Sequence, residues 1–380
     1  MLLDYATLRL IWWALLGVLL IGFAVMDGFD LGVAILHPFA ARSDAQRRVL
    51  MSAIGPVWEG NQIWLVLGGG AAFAAWPPLY AASFSGFYLA MMLVLIGLIL
   101  RPVALTFRSK LLSSSWRAAW DWAFFVSGLV PALVCGVAFG NLLQGVPYHI
   151  DRTLQPQYEG DLFGLLNPFA LVAGLVSVAM LAMQGASYLV SKTQGELAAR
   201  CARMGAVAAV ALVALFSVAG LWTAFGLEGY VVQGAVDHAG PSNPLWKTVL
   251  REKGAWLDVY RALPAAMAAP LLGLAGALAA AAALLRGAGR TALVFSSVSV
   301  AGVILTAGFS LFPFLLPSST HPDQSLTVWD ASSSPLTLAL MLAAVAVFLP
   351  IVLAYTAWAY RVMRGPVLET DVLRGEDYYY

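Results

Sequence analysis

Nine runs of mostly apolar residues follow one another along this chain, near 10–36, 52–74, 78–100, 118–142, 163–190, 205–226, 263–285, 292–315 and 336–360. Each meets the ~20 residues that carry a helix across a bilayer. The runs are continuous rather than alternating, so they read as helices and not as strands of a barrel. Of the 380 residues, 61% are hydrophobic and 11% charged, and the mean hydropathy is +0.82. A soluble domain carries about 25% charged residues, enough to face water on all sides. The fold class that follows is all-α: a polytopic membrane protein of about nine transmembrane helices.

Orientation follows from the basic residues. Of 21 lysines and arginines, 15 fall in one set of connections, including Arg42, Arg47, Arg48, Arg101, Arg108, Lys110, Arg117 and Arg374. The other 6 are Arg9, Arg152, Lys247, Arg251, Lys253 and Arg261. The positive-inside rule makes the first side cytoplasmic, which puts the N-terminus outside and the C-terminus inside. Trp116, Trp120 and Trp122 then sit as an aromatic belt at the cytoplasmic headgroups. Asp4 and Arg9 precede the first run and no small-residue cleavage site follows it, so it reads as an uncleaved span. The net charge of +1 gives no sign of a nucleic-acid partner. Cys135 and Cys201 fall on different spans at different depths and predict neither a disulfide nor a metal site.

A single integral-membrane domain, 1–380, is expected. Within it, 1–142 reads as a first four-helix bundle and 163–315 as a second, with an outer loop at 227–262. Residues 336–380 read as a peripheral helix and cytoplasmic tail. A weak repeat supports the division: Met26-Asp-Gly-Phe-Asp30 of span one places Met and Gly in register with Met183-Gln-Gly-Ala-Ser187 of span five.

Polar groups inside spans are costly, so they face the bundle, pair or titrate. Asp27 and Asp30 lie three apart on one face of span one. Glu59, Asn61 and Gln62 lie in span two between Trp58 and Trp64. With span one ending near His37-Pro38 and span two starting near Leu50, Asp27 and Glu59 both stand roughly 14–15 Å from the cytoplasmic end. Two roles fit these acids. They form a short proton-entry path with Glu59 innermost, or they pair with Arg101 or Arg47 and hydrogen-bond a neighbouring helix. Arg101-Pro102, closing span three, reads as a snorkelling anchor or as a counter-ion for Asp27 or Asp30. Asp121 reads as a helix N-terminal charge. Trp329-Asp330 with Ser332, Ser333, Ser334 and Pro335 reads as the cap of span nine.

Haem in a helical bundle takes His or Met from facing helices. His37, His149, His238 and His321 all fall at span ends or in loops, so no cofactor is assigned to this chain. No phosphate loop, dinucleotide fingerprint, zinc spacing or nucleophile–base pair is visible.

The sequence resembles subunit II of cytochrome bd ubiquinol oxidases over nearly its whole length. The resemblance rests on Ile11-Trp12-Trp13, Gly22-Phe23 through Asp30, Trp58-Glu-Gly-Asn-Gln-Ile-Trp64, Phe73-Ala-Ala-Trp-Pro77 and Phe84-Ser-Gly-Phe-Tyr88. Phe139-Gly-Asn-Leu-Leu-Gln-Gly-Val-Pro147, Ser242-Asn-Pro244, Phe312 through Ser319 and Trp329-Asp330 continue it in order. It implies a heterodimer in a bacterial inner membrane, often with a small single-helix subunit. That complex reduces dioxygen to water with quinol electrons and cytoplasmic protons, generating proton-motive force without pumping. Haems b and d and the quinol-oxidising loop would belong to the larger subunit. Some members hold a structural quinone in the smaller one. By the same resemblance Glu59 matches an acidic position proposed to feed protons toward the haems, and Trp64 a position near an oxygen entrance. Val57 departs from the family, which often has histidine there. The alternative from another class is a secondary transporter with a site between inverted repeats. The placement of acids toward one side, with Gln184 and Ser187 in span five, disfavours it.

Overall fold

The computed structural model describes residues 3–234 and 236–373; Arg374 and the rest of the tail lie outside them. Its helices are α1 (Tyr5–Ala40), α2 (Asp44–Ile54), α3 (Trp58–Ala75), α4 (Pro77–Gly86), α5 (Tyr88–Phe107) and α6 (Ser114–Gln144). The strands β1 (Tyr148–Ile150) and β2 (Pro156–Tyr158) lead to α7 (Pro168–Lys192) and α8 (Gly195–Phe225). Next come β3 (Glu228–Gln233), β4 (Thr248–Lys253), α9 (Asp258–Ala262), α10 (Ala268–Leu285) and α11 (Gly289–Leu311). The chain closes with β5 (Phe314–Leu316), β6 (Leu326–Thr327), α12 (Pro335–Val362) and α13 (Glu369–Leu373). All three strand pairs are antiparallel and two-stranded. They lie at one end, the hairpin end; most basic residues gather at the other, the basic end.

Among the described residues, 8 helices are long and apolar enough to cross a membrane. They correspond to every expected span except the second. The chain breaks there at Gly55-Pro56-Val57, so an expected helix from 52 to 74 becomes α2 and an 18-residue α3. Glu59, Asn61 and Gln62 fill the start of α3 and lower its apolarity. This corrects the depth estimate: Glu59 lies in the first turn of α3, not nine residues into a span. The third span is also divided, at Gly86-Phe87, and runs on to Phe107 rather than stopping at 100. Proline opens α4 and α12, where its missing N–H has no partner to lose. Within the expected cap stretch, Ser334 caps α12 by accepting from the Thr337 amide.

Helix α1 is the hub. It packs against α3, α6, α7 and α11, while α12 lies outside with most of its surface exposed. Its 36 residues span about 54 Å, well beyond the hydrocarbon core, so both ends project. The projecting ends are tied down. At the hairpin end, buried Arg9 donates to the carbonyls of His238 (2.7 Å) and Gly240 (3.1 Å) and to Ser332 Oγ (2.7 Å). Nearby, Lys247 meets Asp330 at 2.8 Å; burial pulls the ammonium below its ordinary pKa and the carboxylate opposes that. The described residues of 227–262 thus form a lobe built on the β3–β4 ladder.

Small residues bring α1 and α7 into backbone contact at Gly32 and Gly185. A Cβ on Gly32 would lie 1.9 Å from the Leu181 carbonyl oxygen, and one on Gly185 would lie 2.4 Å from the Gly32 carbonyl carbon. Close approach of this kind drives helix association where lipid offers no hydrophobic gain. Gly32→Ala and Gly185→Ala should each cost about 1–3 kcal/mol by overpacking. The check is the melting temperature of the detergent-purified protein, with Gly69→Ala as control; nothing lies within 4 Å of a Cβ there, so that change should not lower it.

Candidate functional site

Four of the polar residues singled out in the sequence come together inside the bundle. Asp27 and Asp30 face inward from α1, Asn61 from α3 and Arg101 from α5, and all are at most 1% exposed. Three-residue spacing on α1 turns both acids the same way. Arg101 forks onto Asp27: Nη1 donates to Oδ1, and Nη2 stands 3.4 Å from Oδ2. A guanidinium suits this role because its planar fork matches a carboxylate and stays charged. Asp30 instead accepts from Asn61 Nδ2 at 2.8 Å, and Asn61 Oδ1 accepts from Tyr360 Oη at 2.6 Å. Asp30 Oδ1 and Arg101 Nε have no hydrogen-bond partner among the described residues.

Arg101 is therefore sequestered rather than extended toward the headgroups. Tyr360 was invisible as a site residue, because a tyrosine near the end of a span reads as an interfacial anchor. Its ring lies edge-on to Phe29, which stacks on Tyr188 at 4.0 Å, so α12 touches α1 and α3 through an aromatic and polar contact together.

Glu59 departs from the expected set. It is exposed on the outer face of α3 and makes no ion pair or hydrogen bond with a described residue. Gln62 is half-buried beside it. Ile63, Val66 and Leu67 on the same helix are exposed as well, so the outer face of α3 is otherwise apolar. Trp64 points the other way; it is 7% exposed and its ring covers Gly22, whose Cβ would clash with it at 2.2 Å.

A second ionic cluster sits at the basic end. Asp121, expected as a simple helix-terminal charge, is buried and takes Arg108 Nε and Arg47 Nη1, each at 2.6 Å. Arg108 also reaches Asp44 at 2.9 Å, and Arg117 meets Asp44 at 3.1 Å. Arg47 thus belongs to Asp121 and leaves Asp27 to Arg101. The cluster joins α2, the turn after α5, and α6. Its five charges come from two stretches, Asp44 to Arg47 and Arg108 to Asp121, and the bonds between those stretches are what spacing did not reveal.

Among the described residues the histidines do not converge as the paired ligands of a haem would. His37 is wholly buried, but it lies edge-on to Phe124 at 5.1 Å and 3.7 Å from Asp121. His238 stacks on Trp329 at 4.1 Å, and His149 and His321 lie beyond the helices at the hairpin end. No two of them face each other across the bundle, and Met51 and Met183 are packed in the core.

The arrangement can hold charge and protons: one acid fixed as an ion pair, a second hydrogen-bonded to a neutral amide. Breaking the pair is the sensitive operation. Arg101→Met strands a buried carboxylate and should cost about 3–5 kcal/mol. The double change Asp27→Leu with Arg101→Met should recover most of that loss. Thermal unfolding of these two variants and of Asp27→Leu alone, each against the unmodified protein, measures the coupling.

Comparison with known proteins agrees with this architecture. A family described as "Cytochrome bd terminal oxidase subunit II" matches residues 8–363. The chain is 51% identical over 371 residues to "Cytochrome bd-I ubiquinol oxidase subunit 2" of Escherichia coli K12, covering 98% of each. It is 48% identical over 362 residues to "Probable cytochrome oxidase subunit 2" of Haemophilus influenzae, covering 95% of this chain and 96% of that one. In fold it is similar to the bd oxidase structure from Geobacillus thermodenitrificans, with TM-score 0.61 and 16% identity over 94% of this chain and 98% of that one. The transporter alternative finds no support in them. The chain belongs to the cytochrome bd terminal oxidase subunit II family.

Proposed function

We propose that this chain is the smaller, haem-free subunit of a terminal quinol oxidase, scaffolding a larger haem-bearing subunit and supplying part of its proton path. As a quinol:oxygen oxidoreductase the complex reduces dioxygen to water with electrons from quinol and protons from the cytoplasm. The family and the misplaced histidines support the division of labour. The basic end is cytoplasmic by the positive-inside rule, in a bacterial inner membrane. Helix α3, about 27 Å long and held along α1, serves as the ninth crossing.

The observation that carries the reading is Glu59. An unpaired carboxylate in the first turn of α3, on a face that is otherwise apolar, suits a protein partner better than lipid, so a protein surface covers it. We place the larger subunit against the face of α3 that carries Glu59, Ile63 and Val66. There Glu59 accepts protons from the basic end and passes them across the subunit boundary. Asp27, Asp30, Asn61 and Arg101 hold α1, α3 and α5 in the geometry that presents it. Asp30, with an unshared carboxylate oxygen, is a reserve proton holder. Trp64, which the resemblance sets near an oxygen entrance, is turned inward onto Gly22 and shapes the inner side of α3.

Glu59→Gln should lower quinol oxidase turnover at least about tenfold while haem absorbance of the purified complex persists, and Glu59→Asp should restore most of it. Unchanged turnover would remove Glu59 from the proton path. Expressed without its partner, the chain should show no Soret band. A haem band from the isolated chain would overturn the haem-free assignment.

A further inference from the structure

The connections at the hairpin end bring three metal-ligating side chains to one point. His149 extends from β1, Glu159 follows β2, and His321 sits in the turn between β5 and β6. One ligand atom from each lies within 4.8 Å of the other two, and His149 Nδ1 is 2.8 Å from Glu159 Oε1. The two imidazole rings are tilted, with centroids 5.5 Å apart. From these contacts we infer that His149, Glu159 and His321 form a binding site for a divalent transition-metal ion, Zn²⁺ in the first instance.

The donor set suits that ion. Two neutral imidazoles and a carboxylate give the nitrogen and oxygen ligands Zn²⁺ prefers, and water completes the tetrahedron. Ligand atoms on a tetrahedral zinc stand about 3.3–3.5 Å apart, given bonds of about 2.0–2.2 Å. The three side chains are half-exposed or exposed, so small rotations reach this spacing without moving the core.

The backbone beneath them is already set. His149 pairs with Gln157 in the β1–β2 ladder, and the Glu159 amide donates to the Pro147 carbonyl at 2.9 Å. The His321 turn is pinned to β1 from the other side. The Ser319 amide donates to Val146 at 3.0 Å, Thr320 Oγ1 to the Tyr148 carbonyl at 3.1 Å, and the His321 amide to Ser318 Oγ at 3.1 Å. Thr320 Oγ1 also stands 3.2 Å from His321 Nδ1 and orients the ring. Such outer contacts fix the ring orientation of metal-bound histidines. An exposed His–Glu ion pair accounts for two of the residues but not for the second imidazole converging on them, and is worth little by itself. A bound ion would clamp the segment after α6 to the segment between α11 and α12, closing the hairpin end over the helices.

The test compares the purified complex with a His149→Gln/His321→Gln double variant after equilibrium dialysis against Zn²⁺, with bound metal measured by mass spectrometry. The wild-type complex should retain one more equivalent than the variant, and Zn²⁺ should raise its melting temperature where the variant shows no rise. Glu159→Gln, which leaves both rings, should weaken the differential binding at least about tenfold. Cu²⁺ substituted into the wild-type site should show two more coordinated nitrogens by electron paramagnetic resonance than the Cu²⁺-loaded variant. Equal zinc content and equal thermal response in the wild type and the double variant would overturn the site and leave a surface ion pair.

Discussion

A carboxylate carried into an apolar helix bundle has to be answered by a cation or a donor on another helix, and here that demand organises the centre of the molecule. Asp27 is answered by Arg101 from α5; Asp30 is answered by Asn61 from α3, which in turn accepts from Tyr360 of α12. Four helices are thereby keyed to one another at one level. Coulomb attraction is strong in such surroundings, and the desolvation it offsets is equally large. The pair therefore contributes register more than net stability: a sliding or rotated α5 would leave both charges alone in hydrocarbon.

Packing on the other flank of α1 works by removal of side chains. Gly32 and Gly185 let the backbones of α1 and α7 touch, and Gly128 of α6 brings its Cα near the Leu31 carbonyl of α1. Dispersion contacts accumulate over these close approaches, and each depends on the absence of a methyl group. One helix thus combines polar keys toward α3 and α5 with glycine contacts toward α6 and α7. This explains why α1 can be central and still carry acids. The outward faces of α3, α5 and α12 keep exposed apolar side chains.

Much of this was readable along the chain. The membrane class, the apolar runs and the acids of α1 follow from composition and spacing, because hydrocarbon permits helices and penalises charge. Arg101 as a counter-ion for Asp27 was one of two open readings, since a proline-flanked arginine at a span end fits a headgroup anchor equally well. Residues such as Tyr360, Asp121 and His321 could not be assigned from spacing. Tyr360 meets Asn61, 299 positions away, Asp121 meets Arg47, 74 positions away, and His321 meets His149 from another connection; no periodicity links them.

By itself, the sequence determined the solvent this protein requires, the number of apolar runs and the family to which it belongs. These depend on local composition and on motifs kept in order. Tertiary structure alone decided which way each polar group faces. Asp27 and Asp30 turn inward to Arg101 and Asn61, while Glu59 turns out of the chain, although all three look alike as acids within apolar runs. The reason is the break at Gly55-Pro56-Val57, which restarts the helix and so resets the rotation of α3 about its axis. Rotation accumulates at about 100° per residue, so a short interruption redirects every side chain after it.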